Sequence, residues 1–204
     1  MCLNRSQYTS YGGPPNSAGY WNPGDEELVI YDDKESGGRG KTWSTLNHEA
    51  FHQYIHYFYG NLAPHSWYNE GTGDFYAGYK LNGRGKFDLE RFDWRVRLIQ
   101  QNLRDSKYAP LKELVNWEQG EYYGTNEYGL DQGDNYAQGW SFIYFLRTGK
   151  KGKARGWDPV WDLILDTYLD SLAATGDLDR SVEKAFAGVD WAAMEEAWKA
   201  YTLQ

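Results

Sequence analysis

The sequence predicts a mostly helical α+β domain with a small N-terminal β-sheet beside a helix rich in histidine. Three observations predict it. One strong strand signal, Glu27-Leu-Val-Ile-Tyr31, lies near the start; helix-period patterning dominates after Thr42; and Tyr136–Leu146 is apolar or aromatic all round, as a buried helix should be. A chain of 204 residues, 41% hydrophobic, is long enough to fill one domain. Residues 1–40 would form the sheet and its edge strand, and 41–204 the helical part. With 10 Trp and 18 Tyr, the core should be built largely from rings.

The elements follow in order. Residues 1–24, rich in Gly, Pro, Asn, Ser and Tyr, read as loop and edge structure. Gly19-Tyr-Trp21 is the expected hairpin partner of Glu27–Tyr31, joined through Asn22-Pro-Gly24. Ser36-Gly-Gly-Arg-Gly40 reads as a flexible connector. A helix is expected from Thr42 to about Tyr59, closed by Gly60, and a second from Trp67 to about Tyr79, ended by Asn82-Gly83. Phe92–Leu103 is amphipathic. Lys107–Asp134 reads as a long loop with one short helix, and Val160–Ala173, Ser181–Phe186 and Val189–Tyr201 as closing helices.

Charge and cysteine narrow the function. A net charge of −8 and a pI near 5.0 leave no basic face for phosphates, so nucleic acid is excluded as a partner; the short run Lys150–Arg155 reads as a solvated loop. Cys2 is the single cysteine, which rules out a disulfide framework and a thiolate zinc cluster. No apolar run is long enough to span a bilayer. The abrupt opening Met-Cys-Leu-Asn-Arg reads as a fragment from which a signal or a preceding domain has been cut off, so the compartment is left open, with export (periplasmic or extracellular) as one reading. The oligomeric state is left open.

The chemistry gathers at His48-Glu-Ala-Phe-His-Gln-Tyr-Ile-His56. Positions i and i+4 of a helix differ by only about 40° in azimuth, so His48 and His52 point the same way and can grip one ion. Glu49 is turned off that face, near enough to touch a ligand of the metal without being one itself. His56 lies a further turn on, about 12 Å along the axis from His48, too far to share a tetrahedral ion. A catalytic zinc takes three protein ligands and leaves a fourth position for water. The third should come from downstream, and His65 and Glu70 are the candidates, with 17 residues between His52 and Glu70.

His-Glu-x-x-His followed at this range by Asn69-Glu70-x-x-x-Asp74 resembles the arrangement of the gluzincin metallopeptidases, thermolysin and its relatives. The resemblance implies that Glu70 ligates zinc and that Asp74 holds the far nitrogen of His48, with Asn69 beside them. It favours Glu70 over His65, because Asp74 comes with it to fix the imidazole tautomer. It also implies that Glu49 takes the proton of the attacking water. No histidine follows His65, so a tyrosine hydroxyl is the natural substitute for the oxyanion donor. Tyr136-Ala-Gln-Gly139, opening the buried helix, is similar to the Tyr-x-Lys-Gly segment of aminopeptidase N-like gluzincins, with Gln138 in place of lysine. Tyr136 is therefore the expected donor, with Tyr123 and Tyr128 in reserve.

With Leu28–Tyr31, Trp67–Gly71 and Ala185–Trp191, these features resemble a sparsely characterised bacterial family of gluzincin-like peptidases along nearly the whole chain. The expectation is thus a Zn2+-dependent peptidase of peptide or protein substrates, an endopeptidase before an aminopeptidase. By analogy, Gly19, Tyr20 and Trp21 would hold the extended substrate at the sheet edge. An aminopeptidase also needs acidic groups for a free amine, which Asp25-Glu26-Glu27 could supply, but the aminopeptidase Gly-x-Met-x-Asn sequence is missing. The alternatives are a zinc-binding module with little or no turnover and, on exposed aromatics alone, a glycan-binding domain.

Overall fold

A computed structural model describes residues 1–34, 38–60 and 62–204, with Arg39 as backbone only; of the expected connector, Ser36 and Gly37 lie outside the described residues. The chain is mostly helical with small two-stranded sheets, an α+β fold at the coarse level. No helix among the described residues is long and apolar enough to cross a membrane. Two compact units are formed, Met1–Asn61 with Thr72–Arg91, and Leu62–Gly71 with Phe92–Gln204.

The first unit opens with a short helix, α1 (Arg5–Ser10), in a stretch expected to be loop. Asn4 supplies the missing start signal, its side chain accepting from Gln7 N–H at 2.9 Å. Strands β1 (Gly19–Asn22) and β2 (Glu27–Ile30) form the expected antiparallel hairpin, with Gly19 opposite Ile30 and Asn22 opposite Glu27. Asn22 organises the turn, accepting from Gly24 N–H at 2.9 Å. Tyr8, Val29, Tyr31 and Cys2 bury one face of this ribbon.

Helix α2 (Gly38–Tyr59) begins four residues earlier than the sequence suggests, and Gly60 ends it with a φ of 66°. Gly19 lets β1 lie directly on it, since a Cβ there would stand 2.7 Å from Thr45 Cγ2. Helix α3 (Ser66–Ala77) stops short of the expected end. Tyr79 and its neighbours instead form β3 (Tyr79–Leu81), which pairs with β4 (Phe87–Leu89) in a second hairpin. Asn82-Gly83, read as a helix stop, is the hairpin turn, with Asn82 Oδ1 accepting from Arg84 N–H at 2.9 Å and Lys86 N–H at 3.0 Å. Turn chemistry won over helix periodicity there.

The second unit is helical. Helix α4 spans Asp93–Arg104, and the expected long loop holds two short helices, α5 (Leu111–Leu114) and α6 (Gln119–Tyr123). Helix α7 (Gln132–Thr148) starts four residues before Tyr136, because Asp131 and Asp134 cap it reciprocally. After it come a 3-10 turn (Pro159–Leu163), α8 (Ile164–Thr175), α9 (Leu178–Ala185) and α10 (Trp191–Thr202). Trp67, Trp161, Trp198, Tyr168, Phe142 and Phe145 are fully buried, the ring-built core the composition predicts.

Candidate metal centre

Within the first unit, His48 and His52 project from one side of α2 with ring centroids 4.7 Å apart and planes at 78°. Both are half-buried. His48 Nδ1 lies 3.1 Å from Oδ1 of Asp74, whose carboxylate is buried. Asp74 reaches the ring because Gly73 has no side chain: a Cβ there would stand 2.9 Å from both Cε1 and Nδ1 of His48. Glycine costs a helix about 1 kcal/mol relative to alanine, and here that cost is exchanged for an imidazole laid against the helix backbone.

Helix α3 begins in the second unit and ends in the first. Glu70, one turn before Asp74, shares its face and is only 7% exposed. One ligand atom each from His48, His52 and Glu70 lies within 4.8 Å of the others. Two imidazoles and a carboxylate are the donor set of a catalytic zinc site, and a carboxylate behind one imidazole is the support such a site requires. The set therefore fits a divalent metal on its chemistry.

The second unit builds the surroundings of Glu70. Helices α3 and α7 cross at two glycines; a Cβ on Gly71 would stand 2.7 Å from the carbonyl oxygen of Gly139, and one on Gly139 2.4 Å from the hydroxyl of Tyr122. That crossing sets Tyr136, one turn before Gly139, near Glu70. Burial and then the Glu70 carboxylate push the Tyr136 phenol far above its ordinary value. Tyr123, at the end of α6, donates to Glu70 Oε1 at 2.6 Å, and its phenol is likewise raised by burial and by that carboxylate. The Tyr123 and Tyr136 rings lie 6.1 Å apart.

The other expected residues are placed as follows. Glu49 is half-buried next to His48 on α2. Asn69 is half-buried, its backbone N–H closing the first turn of α3 on His65 O at 3.0 Å. His65 is engaged by Tyr168, whose hydroxyl accepts from its backbone N–H at 2.8 Å and meets Nδ1 at 2.9 Å. His56 packs against Trp21, centroids 5.6 Å apart. Tyr128 packs on Trp117 instead of approaching Glu70. Tyr20 lies against Tyr8 and Trp21 against Tyr57, so both side chains of the β1 edge are taken up in packing.

Gln138, where the similar segment has lysine, is a structural clamp. Its Oε1 accepts from Ala109 N–H at 3.1 Å and its Nε2 donates to Ala109 O at 2.6 Å, closing the loop before α5 onto α7. Sequence reasoning did not anticipate the contact of Tyr123 with Glu70; the reciprocal cap Glu118/Glu121 signals only the helix Gln119–Tyr123 that carries the tyrosine. No protein-family model, curated protein or solved structure matches this chain.

Proposed function

We propose that this chain is a gluzincin-type zinc peptidase, an endopeptidase acting on extended peptide, with zinc held by His48, His52 and Glu70. The observation that carries the reading is the convergence of those three donors with Asp74 behind His48. Zinc bound there would supply Lewis-acid polarisation of the scissile carbonyl and of water.

The remaining work falls to the chain's own groups. With Asp74 accepting from Nδ1–H of His48, the tautomer would be fixed with Nε2 as the atom that ligates the metal. The Glu49 carboxylate takes a proton from the attacking water and passes it to the leaving amine. Tyr123 commits its single O–H to Glu70 Oε1 and so positions that ligand, whereas Tyr136, whose phenol is raised and stays protonated at neutral pH, supplies the O–H for the developing oxyanion. Among the described residues β1 pairs only with β2, which leaves its outer edge to take a substrate strand.

The endopeptidase reading is preferred over an aminopeptidase because the acidic turn is already engaged. Asp25 accepts from Asn22 Nδ2 at 2.7 Å, Glu26 from the Tyr57 hydroxyl at 3.1 Å and Glu27 from the Tyr11 hydroxyl at 2.7 Å. A peptide-library digest with and without chelator tests the proposal, run beside Glu49→Gln. The wild type should cut N-acetylated peptides and stop on chelation. Glu49→Gln should keep one zinc per chain and lose cleavage by orders of magnitude. Zinc retained with no cleavage of any peptide by the wild type would leave a binding module instead.

A further inference from the structure

Outside the ligand set, the first unit contains a cleft of about 530 Å³ between α2, the end of α3 and the second hairpin. Asn47, Phe51 and Tyr54 line it from α2, and Tyr76, Tyr79 and Phe87 from the other side. Among the described residues none that lines it is charged. Phe51 and Tyr76 are stacked, centroids 5.6 Å apart and planes at 29°, and Tyr76 and Tyr79 lie 6.0 Å apart at 27°. Tyr54, Tyr76 and Phe87 are 47%, 38% and 65% exposed. Rings left this open on a chain that buries most of its aromatic surface call for an occupant.

We propose that this cleft binds an aromatic side chain presented by a peptide. Its volume lies in the range of small-ligand pockets, which suits a ring-bearing side chain together with the peptide residues that flank it and is too small for a folded partner. Offset-stacked and edge-on ring pairs are favoured beyond simple burial, so a wall of near-parallel rings prefers an aromatic guest to an aliphatic one. The absence of charged lining residues disfavours an ionic guest. A sugar ring needs several directional partners, and the Asn47 amide already donates to Tyr79 O at 3.2 Å.

The cleft is also placed to serve the metal centre. Asn47 and Phe51 immediately precede His48 and His52, so its floor is the neighbouring stripe of α2, about 100° round the helix. The Phe51 ring lies 6.0 Å from that of His52. That the aromatic residue belongs to the substrate rests on the peptidase reading; the binding of an aromatic ring does not.

The test is an NMR titration of the zinc-loaded protein with N-acetyl-tryptophanamide, followed by kinetics on peptides differing by one Phe-to-Ala change. Saturable shifts should centre on residues 47–54 and 76–79. Tyr54→Ala and Phe87→Ala, at half-exposed or exposed positions, should each weaken binding at least fivefold while zinc content stays the same. The Phe peptide should be cut at least tenfold faster than its Ala counterpart, an advantage lost in Tyr54→Ala. Absence of shifts in those segments, or shifts with N-acetylglucosamine oligomers but not the aromatic amide, overturns the proposal. Binding of the amide without hydrolysis of any peptide supports the cleft and overturns the peptidase reading instead.

Discussion

The hydroxyl of Tyr123 donates to Oε1 of Glu70 at 2.6 Å, tying the short helix α6 to the carboxylate that completes the donor set. A charge-assisted bond of this kind holds the carboxylate in a fixed orientation. Tyr123→Phe keeps the ring, which packs on Tyr122 at 5.6 Å, and removes only the donor. Zinc affinity should fall about tenfold, the low end of the range for outer partners of a metal site. Competition with a chromophoric chelator measures it; unchanged affinity would mean the phenol does nothing for Glu70.

Asp74 stands in the same relation to His48. Asp74→Ala leaves Nδ1 without its acceptor and frees the ring to turn, so zinc should bind about 10- to 100-fold more weakly. Asp74→Asn, which retains an oxygen acceptor, should lose less. An order in which Asn is worse than Ala would refute the hydrogen-bonding role.

The two glycines of α3 give a prediction opposite in sign to helix propensity. Gly→Ala in a free helix gains about 1 kcal/mol. Gly73→Ala should instead displace the His48 ring and weaken zinc binding, because its Cβ falls 2.9 Å from that ring. Gly71→Ala meets backbone, the Gly139 carbonyl at 2.7 Å, and should cost about 1–3 kcal/mol of stability in urea titration. A gain in stability from Gly71→Ala would show that α3 and α7 are not in close contact there.

His65 should make stability depend on acidity. Burial holds its imidazole below the ordinary value of 6.5, against a smaller opposing effect of Asp179. The unfolded chain therefore takes up the proton first. This contribution to stability is whole above pH 6.5 and is lost as pH falls from there toward the folded value. In chelated protein, urea titrations at pH 7.5 and 5.5 should show a larger drop for wild type than for His65→Gln, the difference cancelling the other histidines. Equal drops would place His65 in a wetter setting than the structure gives it.

Much of the fold was legible because its signals are local. The first hairpin was written in Leu28-Val-Ile and Asn22-Pro-Gly24, and the pairing of His48 with His52 follows from helical pitch alone. The stretch after Ala77 was misread because Tyr79 and Leu81 fit a helix period as well as a strand, and only pairing with Phe87–Leu89 decides between them. At the candidate site, Glu70 and Asp74 could be read because they share one helix. The contact of Tyr123 with Glu70 joins residues 53 positions apart, and nothing in either local sequence encodes that distance.

The first strand has one more lesson. With Tyr20 and Trp21 committed to opposite neighbours, an incoming segment would meet only amide and carbonyl groups there. Those groups are common to every amino acid, so such a grip is blind to the text of its guest. On the proposed peptide-binding role, selectivity would then be imposed elsewhere, by shape, while this ribbon would grip without choosing.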